Sequence, residues 1–186
     1  MSTTSPRLPL RDETDDPRLT ELFGRGLRRP DGEVLNIFAT LAHHPDLLRR
    51  WLVFASHVLS KNTLPARERE LLILRTGWNC RSRYEWGQHV LFARQSGLSD
   101  SDIERVKVGQ AADGWDARDR ALLAAADELH TESSMSDPTW DALSDVYTAE
   151  QLLDIVATVG NYHLVSMFLN TTRVQLDPGV PDVDFG

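Results

Sequence analysis

The chain reads as an all-α protein, and three observations say so. Apolar residues recur at helical spacing through most of its length. Helix-start signals punctuate it repeatedly. No alternating run rich in Val, Ile or Thr stands between turn residues to suggest a strand.

Residues 1–32 read as an N-terminal arm and loop. Met1 to about Asp16 is polar, with Pro6, Pro9 and the acids Asp12, Glu13, Asp15 and Asp16, and is expected to be mobile or laid along a partner surface. Asp16-Pro17 is an N-cap followed by proline at the first helical position. Gly24 to Gly32, with three glycines and Pro30, is a loop. Residues 33–176 read as one helical domain. From Glu33 on, Val34, Ile37, Phe38 and Leu41 fall at i, i+3, i+4 and i+7. Pro45 opens the next helix, with Leu48, Leu52, Ala55 and Leu59 on one stripe. Leu64-Pro65 starts another that reaches about Asn79. The next runs from about Ser82 to Ser96 and stops at Gly97, a natural residue just past a helix end. Ser99 with Asp102 forms a capping box, Asp replacing the usual Glu or Gln, for a short helix to Val108. Ala117 to His130 is a further helix, and Ser136-Asp137-Pro138 opens a short one. Thr148 with Gln151 caps a last long helix that runs to the neighbourhood of Gln175. Residues 177–186, with Pro178 and Pro181, read as a loose tail.

The chain's 186 residues, 41% of them hydrophobic, suit a single packed domain and exclude a disordered chain. Its net charge of −8 argues against nucleic-acid phosphates or an anionic membrane as partners. With Cys80 as the only cysteine, an intrachain disulfide, a dithiol redox centre and a Cys-based structural zinc site are excluded. No apolar run is read as a membrane span and no secretory signal is visible, so the expected location is cytoplasmic.

Two consecutive helices carry the candidate chemistry. Leu71, Leu72, Ile73 and Leu74 are adjacent, point about 100° apart and cover nearly every face of their helix, which must be surrounded by protein. Glu70 immediately precedes them, in the row of Leu74 and Gly77. A buried carboxylate there demands a partner, and a salt bridge to Arg67, Arg69 or Arg75 is the simplest one; Glu68 invites the same reading. On the next helix Ser82, Glu85 and His89 line one face, among Tyr84, Trp86, Val90 and Phe92. Glu85 and His89 are one turn apart, close enough to share a proton. The residues alone leave two readings open: an exposed ion pair, or a shielded pair that titrates near neutrality for general acid–base work.

The stretch Leu64 to Val106 resembles the core of the carboxymuconolactone decarboxylase family, which includes the alkylhydroperoxidase AhpD-like proteins. The resemblance rests on Arg67-Glu68-Arg69-Glu70-Leu71, on Tyr84-Glu85-Trp86-x-x-His89 and on Gly97-Leu98-Ser99 opening the next helix. It implies an AhpD-like helical bundle. In the family's peroxidase branch the second of these helices carries Cys-x-x-Cys-x-x-x-His, with a relay glutamate upstream. Glu70 and His89 match that pattern, while Ser82 and Glu85 occupy the two cysteine positions. Cys80 lies two residues before the first of them. The resemblance therefore implies the acid–base branch, since a thiol peroxidase needs an attacking and a resolving sulfur. It also implies a homo-oligomer, trimer or hexamer.

The expectation that follows is a cofactor-free, carboxymuconolactone decarboxylase-like acid–base enzyme, a lyase or isomerase acting on a small carbonyl, lactone or carboxylate substrate. His89 would be the main acid/base, Glu70 would orient it or relay its proton, and Glu85 would tune or share that proton. Ser82, Tyr84, Trp86, Trp78 and His163 would contact substrate, Tyr84 and the two tryptophans as its apolar wall. Two alternatives stand beside it: a peroxidase working through Cys80, and a non-catalytic helical binding or scaffold protein. Asn161, Tyr162 and His163 sit on the last long helix, where His163 reads either as a core histidine or as a second polar group for the pocket. Glu70, Glu85 and His89 could in principle ligate a metal. Yet Glu–His at i,i+4 is not the Glu-x-x-His spacing of di-iron bundles, no His-x-x-x-His or His-Glu-x-x-His run occurs, and no metal is expected.

Overall fold

The computed structural model describes residues 5–24 and 26–186. Among them the elements are α1 (Pro17–Phe23), α2 (Asn36–Leu41), α3 (Pro45–Ser56) continued by a π turn (His57–Lys61), α4 (Ala66–Asn79), α5 (Arg83–Gln95), α6 (Asp100–Val108), α7 (Ala117–Glu132), α8 (Asp137–Ser144) and α9 (Ala149–Thr172). The protein is all-α; the one β feature among the described residues is an isolated bridge between Arg28 and Val34. That bridge delays the helix expected from Glu33, which starts only at Asn36.

The caps read from the sequence close as expected. The Asp16 carboxylate accepts from Arg18 N. Ser99 with Asp102, and Thr148 with Gln151, each form both hydrogen bonds of a capping box. Gly97 takes φ +94°, ending α5 in a conformation that a side chain would strain.

α4 is the central element and packs against α5, α6, α7 and α9. Its four-residue apolar run divides between two cores. Leu71, Leu72 and Leu74 join Leu122, Leu123 and Ile155 in the larger one. Ile73 faces a smaller cluster with Ile37, Val58, Tyr84, Tyr162, Val165 and Leu169. A third cluster, of Leu19, Leu22, Phe23 and Leu48, fastens α1 to α3.

Both ends of the chain depart from expectation. The arm lies on its own chain: Arg7 donates to the Thr171 and Thr172 carbonyls, Arg11 N to the Ala39 carbonyl, and the His43 ring reaches the Pro9 carbonyl at 2.8 Å. Residues 1–4 lie outside the described residues. The tail is held rather than loose. Asp177 is buried and collects hydrogen bonds from Arg29, Asn36 N, Gln88 and the Tyr84 hydroxyl. Phe185 then packs against Trp78 at a tilt, with ring centres 5.0 Å apart. The sequence signal of two prolines reported local backbone, not these distant partners.

α9 is also more apolar than the sequence reading allowed. An 18-residue window reaches a mean hydropathy of 1.4, so by length and composition it could cross a membrane. In the fold it is a core helix, burying Leu152, Ile155, Val159, Tyr162, Val165 and Leu169 against its neighbours.

Candidate active site

α5 presents two different faces. Trp86, Val90 and Ala93 enter the larger core. Tyr84, Glu85, Gln88, His89 and Phe92, at i, i+1, i+4, i+5 and i+8, line a cavity of about 580 Å³. The opposite wall is the stripe of α3, with Trp51, Leu52 and Ala55, extended by Leu59 and Lys61 in the π turn. Of the stripe read from the sequence, Leu48 is fully buried in the core, while Leu52, Ala55 and Leu59 are partly buried and line this hollow. Asn161, Tyr162 and Val165 of α9 form the floor. π turns are one-residue insertions that recur at functional sites, and this one lies in the cavity wall.

The expected carboxylate–imidazole convergence is present, but the partner differs from the one the helical spacing suggests. His89 Nδ1 lies 2.7 Å from Oε2 of Glu70, which is fully buried on α4. Arg69 Nε and Nη2 donate to the other Glu70 oxygen at 3.2 and 3.1 Å. Of the three arginines offered as partners for Glu70, Arg67 pairs instead with Asp119 and Arg75 with Asp127. Glu68 is a structural acid, accepting from Arg118 and from the Tyr147 hydroxyl.

Burial works against ionisation of Glu70. The His89 ring and the Arg69 guanidinium together outweigh it and leave the carboxyl below its ordinary range. An ionised carboxylate only accepts, so Nδ1 of His89 carries the proton. Nε2 is then the lone-pair nitrogen in the neutral ring. Tyr162 fixes the ring from the side, edge to face with centres 4.8 Å apart.

Glu85 does not share a proton with His89. Its side chain turns toward α9, where Oε2 accepts from the Ser166 hydroxyl at 2.7 Å. Oε1 is buried without a hydrogen-bond partner among the described residues. Gly77 makes room for it, since a methyl group there would stand 3.0 Å from Oε1. With no cation to counter it, burial raises the Glu85 pKa well above the carboxylate range, and Ser166 lowers it only in part. The two carboxyls are thus driven in opposite directions: one lowered behind the histidine, one raised in the cavity wall.

The other expected contact residues separate. Tyr84 lines the cavity, with its hydroxyl turned to Asp177 and to Ile37 N. Ser82 is the N-cap of α5, fully buried, and is not part of the lining. Trp86 and Trp78 are corrected to the far side of α5. They pack on each other at 5.2 Å, under Lys107, because residue 86 sits on the core face of the helix. His163 is corrected as well: it points away from the cavity, and its Nε2 meets His130 Nδ1 at 2.8 Å. The polar group that α9 does bring to the hollow is Asn161, whose Oδ1 accepts from Trp51 Nε1 at 3.0 Å.

Comparison with known proteins follows the same lines. Residues 45–128, from α3 into α7, match the sequence model of the carboxymuconolactone decarboxylase family. Over that stretch, somewhat less than half of its length, the chain is similar to that family. Solved AhpD-like structures share its fold. The alkylhydroperoxidase AhpD core of an uncharacterized peroxidase-related protein from Ralstonia eutropha JMP134 superimposes with a TM-score of 0.78 at 23% identity, covering 95% of each chain. An uncharacterized peroxidase-related protein from Silicibacter sp. TM1040 does so with a TM-score of 0.80 at 15% identity, covering 96% of this chain and 97% of that one. The debrominase Bmp8, solved as a cysteine-to-alanine variant with 2,3,4-tribromopyrrole, gives 0.77 at 18% identity over 96% and 95%. At these identities the likeness is one of fold. Among curated protein sequences, none matches.

Proposed function

We propose that this chain is a member of the carboxymuconolactone decarboxylase family and a cofactor-free acid–base enzyme of the lyase or isomerase type, acting on a small carbonyl or lactone compound in the cavity of about 580 Å³. One observation carries the reading. Buried Glu70 holds the His89 ring through a 2.7 Å hydrogen bond at the cavity wall with its carboxyl kept below the ordinary range, while burial in the same wall pushes the Glu85 carboxyl up. Environments that push two carboxyls apart are how a site assigns a base and an acid.

In this mechanism His89 Nε2 removes a proton from the carbon next to the carbonyl. The C–H electron pair moves toward the carbonyl oxygen, and Glu85, its carboxyl turning from Ser166 and Gly77 into the cavity, delivers its proton to the charge that develops there. Glu70 stabilises the imidazolium. Return of the His89 proton at a second carbon, as the oxygen gives its proton back to Glu85, completes an isomerisation. In a decarboxylation His89 Nε2 first takes the proton of the substrate's carboxylic acid, the C–CO₂ pair collapses the same way, and His89 returns that proton to the carbon. Among the described residues the lining is mostly apolar and its one cation is the exposed Lys61, which favours neutral carbonyls and lactones over dicarboxylates.

The same reading takes in cytoplasmic residence and assembly as a trimer or hexamer. The exposed Leu153, Leu164 and Met167 on α9 support self-association. A peroxidase route through Cys80 has little support: burial pushes the thiol up to about 11, Cys80 is absent from the cavity lining, and no second cysteine exists.

The test is deuterium uptake from D₂O into a panel of small ketones and lactones, read by mass spectrometry. Protein-dependent exchange should fall roughly 10²–10⁴-fold in His89→Gln while its helical circular dichroism is retained. Equal exchange with the parent and the variant would overturn the assignment.

A further inference from the structure

A second cluster lies outside this cavity, where α4, α7 and α9 meet. Cys80 caps the C-terminus of α4, His130 sits in the last turn of α7, and His163 is mid-way along α9. Cys80 Sγ is 3.8 Å from His130 Nδ1, which is 2.8 Å from His163 Nε2, and all three atoms fall within 4.8 Å of one another. All three residues are half-buried, within reach of solvent yet held by their helices. Cys80 is fixed further by its backbone: its N–H bonds to the Thr76 carbonyl, and its own carbonyl accepts from Asn170 Nδ2 at 2.8 Å.

We propose that Cys80, His130 and His163 form a binding site for one zinc-class divalent cation, with one thiolate and two imidazole ligands and a fourth position open to water. The chemistry of the set selects this class. A thiolate with two imidazoles is a soft-to-borderline donor set that suits zinc, cobalt or copper over magnesium or calcium. The size also fits. Zinc–sulfur and zinc–nitrogen bonds of about 2.3 and 2.05 Å in a tetrahedron require S···N near 3.6 Å and N···N near 3.3 Å. The cluster reaches those values if the two rings part by about half an ångström from 2.8 Å and Sγ closes on His130 Nδ1 from 3.8 Å and on His163 from a separation of up to 4.8 Å.

The protons balance simply. Two imidazole nitrogens now share one proton, so whichever ring donates must move that proton to its other nitrogen before both can ligate. Cys80 gives its thiol proton to solvent as the sulfur–metal bond forms, releasing one proton per ion bound. The expectation that a single cysteine excludes zinc holds for multi-cysteine sites. It misses this one because the two histidines are 50 and 83 residues away in sequence.

The same geometry would also serve as a plain His–His hydrogen bond with a bystander thiol, and experiment separates the two. Full-length protein, freed of adventitious metal with a chelator, is titrated with zinc chloride and, separately, cobalt chloride. One equivalent should bind, with a thiolate-to-cobalt charge-transfer band and one proton released. Zinc should protect the thiol from alkylation; with one cysteine in the chain, that signal reads Cys80 alone. Cys80→Ser should abolish the band. His130→Asn and His163→Asn should each weaken zinc binding at least ~10-fold, whereas His57→Asn, at an exposed histidine paired with Asp154, should leave it unchanged. Circular dichroism of each variant checks that the helices remain. Absence of the charge-transfer band, unhindered alkylation at saturating zinc, or zinc affinity equal in parent and Cys80→Ser would overturn the proposal.

Discussion

Replacing Glu70 by Gln keeps the shape of the side chain and removes its charge, which isolates what the buried carboxylate does. In the parent it accepts from His89 at 2.7 Å and from Arg69 at 3.1 Å, with no exposure to water. A hydrogen bond to a charged group contributes about 1.5–3 kcal/mol, and the variant also leaves the Arg69 guanidinium facing an amide, so a loss of about 2–4 kcal/mol of stability at pH 7.5 is expected. The loss must depend on pH. The Glu70 carboxyl is held below its ordinary value in the fold, so its contribution is complete above the unfolded value near 4.5 and disappears as pH falls through the lower, folded value. Urea unfolding at a series of pH values should show parent and variant far apart at pH 7.5 and converging below about pH 4. The same loss expressed in the transition state, at about 1.4 kcal/mol per decade, lowers proton-transfer rates about 30–700-fold. A gap between the two proteins that is absent, or constant from pH 7.5 to 3, would refute the reasoning.

Glu85→Gln should behave oppositely. The parent pKa is raised by burial, so parent stability falls as pH climbs from the unfolded value toward the folded one, and the neutral amide escapes that loss. Unfolding at pH 8 should find Glu85→Gln at least as stable as the parent, with slower exchange of the substrate panel. Gly87→Ala places a methyl 2.6 Å from Val180 Cγ1 and closer still to the Pro181 carbonyl. The tail should lift at a cost of about 1–3 kcal/mol, and limited proteolysis should cut residues 178–186 faster than in the parent. Trp86→Ala should cost about 3–5 kcal/mol in denaturant unfolding, and Trp86→Phe should leave the KM for any turned-over substrate unchanged, as suits a core residue and not a cavity wall.

The helices were legible because their signals are local. Asp16-Pro17, Ser99 with Asp102, and Thr148 with Gln151 are complete within four residues, and each forms the cap that its chemistry dictates. The burial of Glu70 was legible too, from four consecutive apolar neighbours that leave no solvated face. Which groups would meet was not. Helical spacing brings Glu85 to the side of His89, yet a long side chain chooses among rotamers, and Ser166 on α9 captured it. Trp86 looked like pocket wall because aromatic bulk beside a polar stripe has no direction until neighbouring helices are placed, and the larger core took it. His163 and Asn161 are two residues apart on one helix, and only the packing of α9 decided which faced the hollow. The tail's attachment through Asp177 joins groups 89 to 148 residues apart, beyond the reach of any pattern.

The most direct measurement of the central claim needs no substrate. Long-range proton–nitrogen correlation spectra of the His89 ring, assigned by comparison with His89→Gln and recorded where the imidazole is neutral, report which nitrogen carries the proton. A single Nδ1–H tautomer that becomes mixed in Glu70→Gln is the result expected of a carboxylate-oriented base. A dominant Nε2–H form in the parent, or a spectrum indifferent to Glu70, would contradict it.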